Sequence, residues 1–170
     1  MRHILSILVE NQSGVLSRVA GLFSRRGFNI DSLSVGKTEN ENYSRITIAT
    51  TGDDMVVTQI SRQVEKLIDV VEVVELLPEE SVYRELTLIK ISADKQTRTE
   101  LVGIVEIFRA NIIDVSNSTI TVEITGDKSK VDAFKELVEP YGIKEIATTG
   151  ITGLQRGNKF INDMKKFEEE

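Results

Sequence analysis

Three observations predict an α+β protein made of two successive β-α-β-β-α-β repeats. Short apolar runs of strand type alternate with stretches at helical spacing, in the same order twice. Thr51-Gly52-Asp53 returns as Thr125-Gly126-Asp127 at the same strand-to-helix junction of each half. Asn29-Ile30-Asp31 has a counterpart in Asn111-Ile112-Ile113-Asp114.

The elements follow in order. Ile4 to Glu10 is an Ile/Leu/Val-rich strand. A polar turn with Asn11, Ser13 and Gly14 precedes a helix over about 14 to 26. Ser13 is its expected N-cap, and Leu16, Val19/Ala20 and Phe23 its buried stripe. Arg25 and Arg26 suit a helix C-terminus, with Gly27 as the residue that ends it. Ile30, Leu33 and Val35 mark a second strand and Tyr43 to Thr50 a third. A helix carrying Val57, Ile60, Val64 and Leu67 follows, and Val70 to Leu77 closes the repeat.

Pro78-Glu79-Glu80-Ser81 breaks the pattern as a linker. The order then restarts. Leu86 to Ser92 is a strand; Leu101, Ile104/Val105 and Phe108 form a helix stripe. Ile112 to Val115 and Ile120 to Ile124 make a hairpin about Asn117-Ser118. A helix with Val131, Phe134 and Leu137/Val138 precedes a last strand, Gly142 to Thr149. Each repeat is expected as a ferredoxin-like domain, an antiparallel four-stranded sheet with two helices on one face. The predicted organisation is a first domain over 1–77, a linker over 78–83, a second domain over 84–157 and a tail over 158–170. The tail is expected to carry a helix with Phe160, Ile161, Met164 and Phe167 on one side.

Composition removes several function classes. The formal net charge is −6, so a basic face for nucleic acid is missing. Zero cysteines exclude disulfides and thiolate chemistry and fit a reducing, cytoplasmic setting. No apolar run reaches the roughly 18 residues of a membrane-spanning helix. Met1-Arg2-His3-Ile4 enters strand sequence at once, from which no leader peptide is expected. The single histidine, His3, is expected at the surface or at a sheet end, which leaves neither a Ser-His-Asp triad nor a His-rich metal site. Asp53/Asp54, Glu79/Glu80 and Glu168 to Glu170 fall in a turn, the linker and the tail, and Asp53 is placed to cap a helix. Gly150-Ile151-Thr152-Gly153 has the letters of a nucleic-acid-binding G-x-x-G loop but lacks basic flanks. No catalytic residue and no metal ligand is assigned.

The most informative stretch is Glu10 to Lys37. A strand runs through a polar turn into a helix whose first N–H groups are free, beside the small apolar Val15. That combination suits a free amino acid, with its carboxylate on the helix N-terminus and its aliphatic group in a dry pocket. The same letters also suit an ordinary β–α turn and cap.

The pattern Asn11-x-x-Gly14-Val15-Leu16-x-Arg18-Val19-x-x-Leu22-Phe23-x-x-Arg26-Gly27-Phe28-Asn29-Ile30-x-Ser32-Leu33-x-Val35 resembles the amino-terminal ACT domain of the small, regulatory subunits of acetohydroxyacid (acetolactate) synthase. The resemblance continues through Ser44-Arg45-Ile46-Thr47 and Gln63 to Val70. It resumes at Arg84-Glu85-Leu86, at Ile107 to Ala110 and at Gly142 to Gly157. It covers residues 1 to 157, and its second half argues against the alternative of a free-standing ACT-domain sensor that controls transcription or another enzyme. One departure is Thr148, where the family commonly has an arginine.

The resemblance implies a chain without catalysis of its own. Its partners would be a second copy, paired through ACT domains, and a large catalytic subunit using thiamine diphosphate, FAD and magnesium. It would stimulate that subunit and confer feedback inhibition by valine or another branched-chain amino acid. The chain itself would hold no cofactor. The implied effector site lies where one subunit's first loop meets a neighbour's second strand. Asn11 and Asn29 would offer amide oxygens to the ligand ammonium. Backbone N–H groups near Gly14, Val15 and Leu16 would receive its carboxylate. Val15, Ile30 and Val35 would line the aliphatic pocket.

Overall fold

The structure, a computed structural model, describes residues 1–161. They form two compact units, Met1–Val82 together with the chain from Ile151 onward, and Tyr83–Gly150. The first holds β1 (Arg2–Glu10), α1 (Val15–Arg25), β2 (Ile30–Lys37), β3 (Tyr43–Thr51), α2 (Asp54–Glu65) and β4 (Val70–Glu75). Its sheet has the order β2-β3-β1-β4, with every pair antiparallel. Strands β2 and β4 are therefore the edges.

Why these residues form these elements is a matter of period. Leu5, Ile7 and Val9 alternate on β1 and meet Ile46 and Ile48 of β3 on one sheet face. Val15, Val19 and Phe23 recur every four residues on α1, and Val57, Ile60 and Val64 recur at spacings of three and four on α2; both stripes close on that face. The buried stripe of α1 thus includes Val15 in place of the expected Leu16, which is exposed. Gly27, at φ +71°, ends α1 in the left-handed conformation expected of it.

The second unit repeats the plan with β5 (Ser81–Ser92), α3 (Thr97–Ile107), β6 (Asn111–Val115), β7 (Thr119–Gly126), α4 (Lys128–Val138) and β8 (Ile143–Thr148). Strand order is β6-β7-β5-β8, the same permutation as in the first. Ile89, Ile91, Leu101, Val122, Phe134 and Val138 are central to its core. Phe108 meets Phe134 edge to face, ring centroids 5.4 Å apart. The recurring Thr-Gly-Asp has one job in both halves. Asp53 accepts from the Val56 N–H and Asp127 from the Lys130 N–H, each capping the helix that follows.

Two strands differ from the sequence expectation. Strand β5 opens at Ser81, five residues before Leu86, so only 78–80 of the expected linker lies outside strand. After Thr148 the chain is not finished with strands: β9 (Thr152–Gln155) pairs with β5. Residues 151–157 cluster with the first unit, as do Ser81 and Val82 at the start of β5, and there the Ser34 hydroxyl donates to the Ile151 carbonyl at 2.7 Å. Arg156 reinforces this by donating its N–H to the Glu80 carbonyl and its Nε to that of Ser81. His3 stands at a sheet end, one of the two placements expected for it, and is buried there 2.6 Å from a Glu75 carboxylate oxygen, with the Gly52 carbonyl on its other ring nitrogen. Of the expected tail helix, Met164 and Phe167 lie outside the described residues.

Candidate functional site

The junction between β1 and α1 is built around one glycine. Gly14 sits at φ +85°, a conformation that side chains disfavour, and is the N-cap residue of α1. Ser13, the expected N-cap, makes no cap: no side chain caps α1. With no acidic residue in its first turn either, α1 keeps the partial positive charge of its N-terminus open to an anion.

The turn leading there is fixed by its own hydrogen bonds. The Asn11 N–H donates to the Asn42 carbonyl at 2.7 Å, and the Asn11 Nδ2 donates to the Glu41 carbonyl at 2.9 Å. Asn11 Oδ1 accepts from the Ser44 hydroxyl at 3.1 Å, which leaves it one lone pair for a ligand N–H. Arg18, one turn into α1, places its Nε 2.6 Å from a carboxylate oxygen of the buried Asp69.

The seven expected site residues do not converge within one chain. Asn11, Gly14, Val15 and Leu16 cluster at the end of β1, where Ser44 begins β3. Asn29 lies at the other end of β3, its carbonyl accepting from the Thr50 hydroxyl at 2.6 Å. Ile30 is opposite Thr50 as well. Six residues of strand separate Ser44 from Thr50, about 20 Å. Val35, by contrast, pairs with Ile46 near the Asn11 end and is exposed. The Asn29 Nδ2 donates to Asp31 Oδ1 at 3.0 Å.

One side chain differs from its expected role. Val15 is 3% exposed and packs into the core, so it offers the junction its N–H and not an aliphatic wall. Leu16, expected to serve through its backbone, is 40% exposed and stands beside the junction with its side chain out. Arg18 and Asp69 were not foreseen at all. The Arg18 letter lies in the helix pattern, but 51 residues separate it from its partner, and no local signal joins them.

Elsewhere, a cavity of about 930 Å³ runs along the outer side of α2, past Asp54, Thr58 and Arg62. A single helix face lines it, so it lacks the convergent walls of a small-molecule site. Among the described residues no group of three or more Asp, Glu or His side chains is arranged to hold a metal ion. None of the helices described is long and apolar enough to cross a membrane.

The fold and this junction define a class: a pair of ferredoxin-like units, the first with an uncapped loop-to-helix junction, and no metal-holding cluster among the described residues. Comparison with known proteins makes it specific. Residues 5–72 match the family model described as the acetohydroxyacid synthase small subunit-like ACT domain, and residues 84–157 match that of the small subunit of acetolactate synthase. A probable acetolactate synthase small subunit of Archaeoglobus fulgidus is 53% identical over 159 residues, covering 94% of this chain and 99% of the relative. The acetolactate synthase small subunit of Mycobacterium bovis is 50% identical over 163 residues, covering 96% and 97%. Among solved structures, the acetolactate synthase small subunit of Thermotoga maritima superposes with a TM-score of 0.86 at 46% identity, over 94% of this chain and 99% of that one. The chain belongs to the acetolactate synthase small-subunit family. A small, regulatory subunit implies a catalytic partner.

Proposed function

We propose that this chain is the regulatory subunit of a cytoplasmic acetolactate synthase. It pairs with a second copy through its first domain, residues 1–77, and docks on a large catalytic subunit that uses thiamine diphosphate, magnesium and FAD. It raises that subunit's activity and makes it sensitive to valine or another branched-chain amino acid. Residues 84–157, as a second domain, complete the subunit.

The observation that carries the reading is the separation of Asn11 from Asn29. One chain alone cannot bring both to a ligand. Strand β2, however, is an edge with unpaired backbone groups, and a second copy can pair with it in antiparallel fashion. A twofold axis near the middle of β2 then sets Asn29 of the partner subunit beside Lys37 and Val35, at the Asn11 end. The effector carboxylate would lie on the N–H groups of Val15 and Leu16, and the ammonium between the two asparagine amide oxygens. Val35 and Ile30 of the partner subunit would cover the aliphatic group. A pocket this simple separates side chains that differ by one methylene by only about 1–3 kcal/mol.

A ligand lodged between subunits is sensitive to their spacing. It binds one arrangement better than another, and that difference, on the order of 1–3 kcal/mol, is the most it can pass to the catalytic partner. The test is reconstitution: the chain is mixed with a matched catalytic subunit, and acetolactate is assayed with and without valine. Stimulation that valine reverses is expected. A catalytic subunit whose rate is unchanged by the chain, with or without valine, would refute the proposal.

A further inference from the structure

Asp69 is a buried carboxylate in the turn before β4, outside the loop and outside every residue assigned to the effector so far. Burying a charge is costly unless it is paired and hydrogen-bonded, so its position calls for a reason. Its two ends hold the two ends of the junction. The Asp69 carbonyl accepts from the Glu10 N–H at 2.9 Å and so fixes the last residue of β1. The Asp69 carboxylate takes Arg18 Nε at 2.6 Å and so fixes the first turns of α1. Everything between, Asn11 to Gly14, is spanned by this one residue.

The Arg18 guanidinium is then aimed by its own planarity. With Nε tied to Asp69, Nη1 lies 3.1 Å from the point where a Cβ on Gly14 would stand. Glycine is therefore favoured here twice, for its positive φ and because a Cβ would press on Arg18. A rigid guanidinium can hold Asp69 with one nitrogen and cover Gly14 with another. A lysine ammonium is a single point and cannot do both.

We infer that Arg18 and Asp69 are a positioning pair for the effector junction: Asp69 holds the Arg18 guanidinium over Gly14, and this sets the turn 11–14 in the conformation that receives an amino-acid carboxylate. The inference rests on the effector site proposed above. It adds two residues to that site, one of which acts only through the other.

The experiment is calorimetric titration of the full chain with valine, for wild type, Arg18→Lys, Asp69→Asn and the double variant. Arg18→Lys keeps the ion pair, so its thermal midpoint is expected within about 2 °C of wild type. Its valine affinity is nevertheless expected to fall about tenfold, the scale of one hydrogen bond to a charged group. Asp69→Asn should weaken valine to a similar degree, and the double variant no further than the weaker single, because the two act as one unit. If Asp69→Asn fails to fold, Arg18→Lys decides alone. Wild-type affinity in a folded Arg18→Lys, or losses that multiply in the double variant, would overturn the pair while leaving the effector site standing. A wild-type chain, paired with itself, that binds no branched-chain amino acid would overturn the site and the pair together.

Discussion

The first strand-to-helix junction of each repeat has the same length as its counterpart and opposite chemistry. Glu10 to Val15 and Ser92 to Thr97 are equally spaced, and each leads an edge-flanked central strand into the first helix of its repeat. In the second, Asp94 Oδ1 accepts from the N–H groups of Gln96 and Thr97 at 2.8 Å and from the Thr97 hydroxyl at 3.1 Å. Those backbone bonds hold its carboxyl below the usual carboxylate range, with the Thr97 N–H the largest cause. In the first, the matching position is Gln12, the residue before the helix is the left-handed Gly14, and no side chain caps α1. One junction carries its own anion and the other leaves the place open. The two repeats share a scaffold, and only the first leaves its helix start free of a side-chain anion.

Filling the first junction should therefore abolish what distinguishes it. Gly14→Asp puts a carboxylate where the effector's would lie and draws Arg18 toward it. Calorimetry with valine should show a loss of about a hundredfold or more, as expected when like charges compete for a desolvated anion site. The change also strains a residue at φ +85°, at a cost of about 1 kcal/mol, since aspartate tolerates this region better than most. Unaltered valine binding in a folded Gly14→Asp chain would break the contrast.

A gentler graft copies the second junction into the first. Gln12→Asp introduces a carboxylate at the Asp94 position, and a loss of valine affinity of about tenfold is expected from its exposed charge. The features the halves share should instead respond alike. Asp53→Ala and Asp127→Ala each remove one equivalent cap bond, and urea unfolding should show losses of about 1 kcal/mol for both. A large effect at one and none at the other would mean that the repeats are not energetically equivalent there.

The smallest effect is one of pH. Because the folded Asp94 carboxyl is depressed, its contribution is present above the unfolded value and is lost as pH falls through the folded one. Hydrogen exchange at Gln96 and Thr97 should thus become less protected below about pH 4, the ordinary carboxylate value, and Asp94→Asn should remove that dependence. Amides at Val15 and Leu16, with no such carboxylate, should show no matching step.

Most of this fold was legible because period and punctuation agreed. Val57, Ile60 and Val64 at helical spacing, followed by strand alternation, admit few alternatives, and Thr-Gly-Asp marks its helix start by the cap it makes. What was not legible is what depends on distant chain. Strand β9 is four residues, Thr-Gly-Leu-Gln, without an apolar alternation of its own, and it exists because β5 extends back to Ser81 to pair with it. Val15 looks like a pocket residue beside Leu16 until the Val15-Val19-Phe23 stripe is seen to face the core. The polar turn at Asn11, between β1 and α1, was readable from its letters alone. That Asn29 stands at the opposite end of β3 follows only from the register, and the tie from Arg18 to Asp69 only from the packed unit.

The most direct test compares the two junctions in one sample. Amide hydrogen exchange of the full chain, with and without saturating valine, should show slowed exchange at residues 11–18 and at 29–30. Residues 93–97 should be unchanged. Protection confined to 93–97, or none at 11–18 while valine is bound, would contradict the assignment of sensing to the first junction.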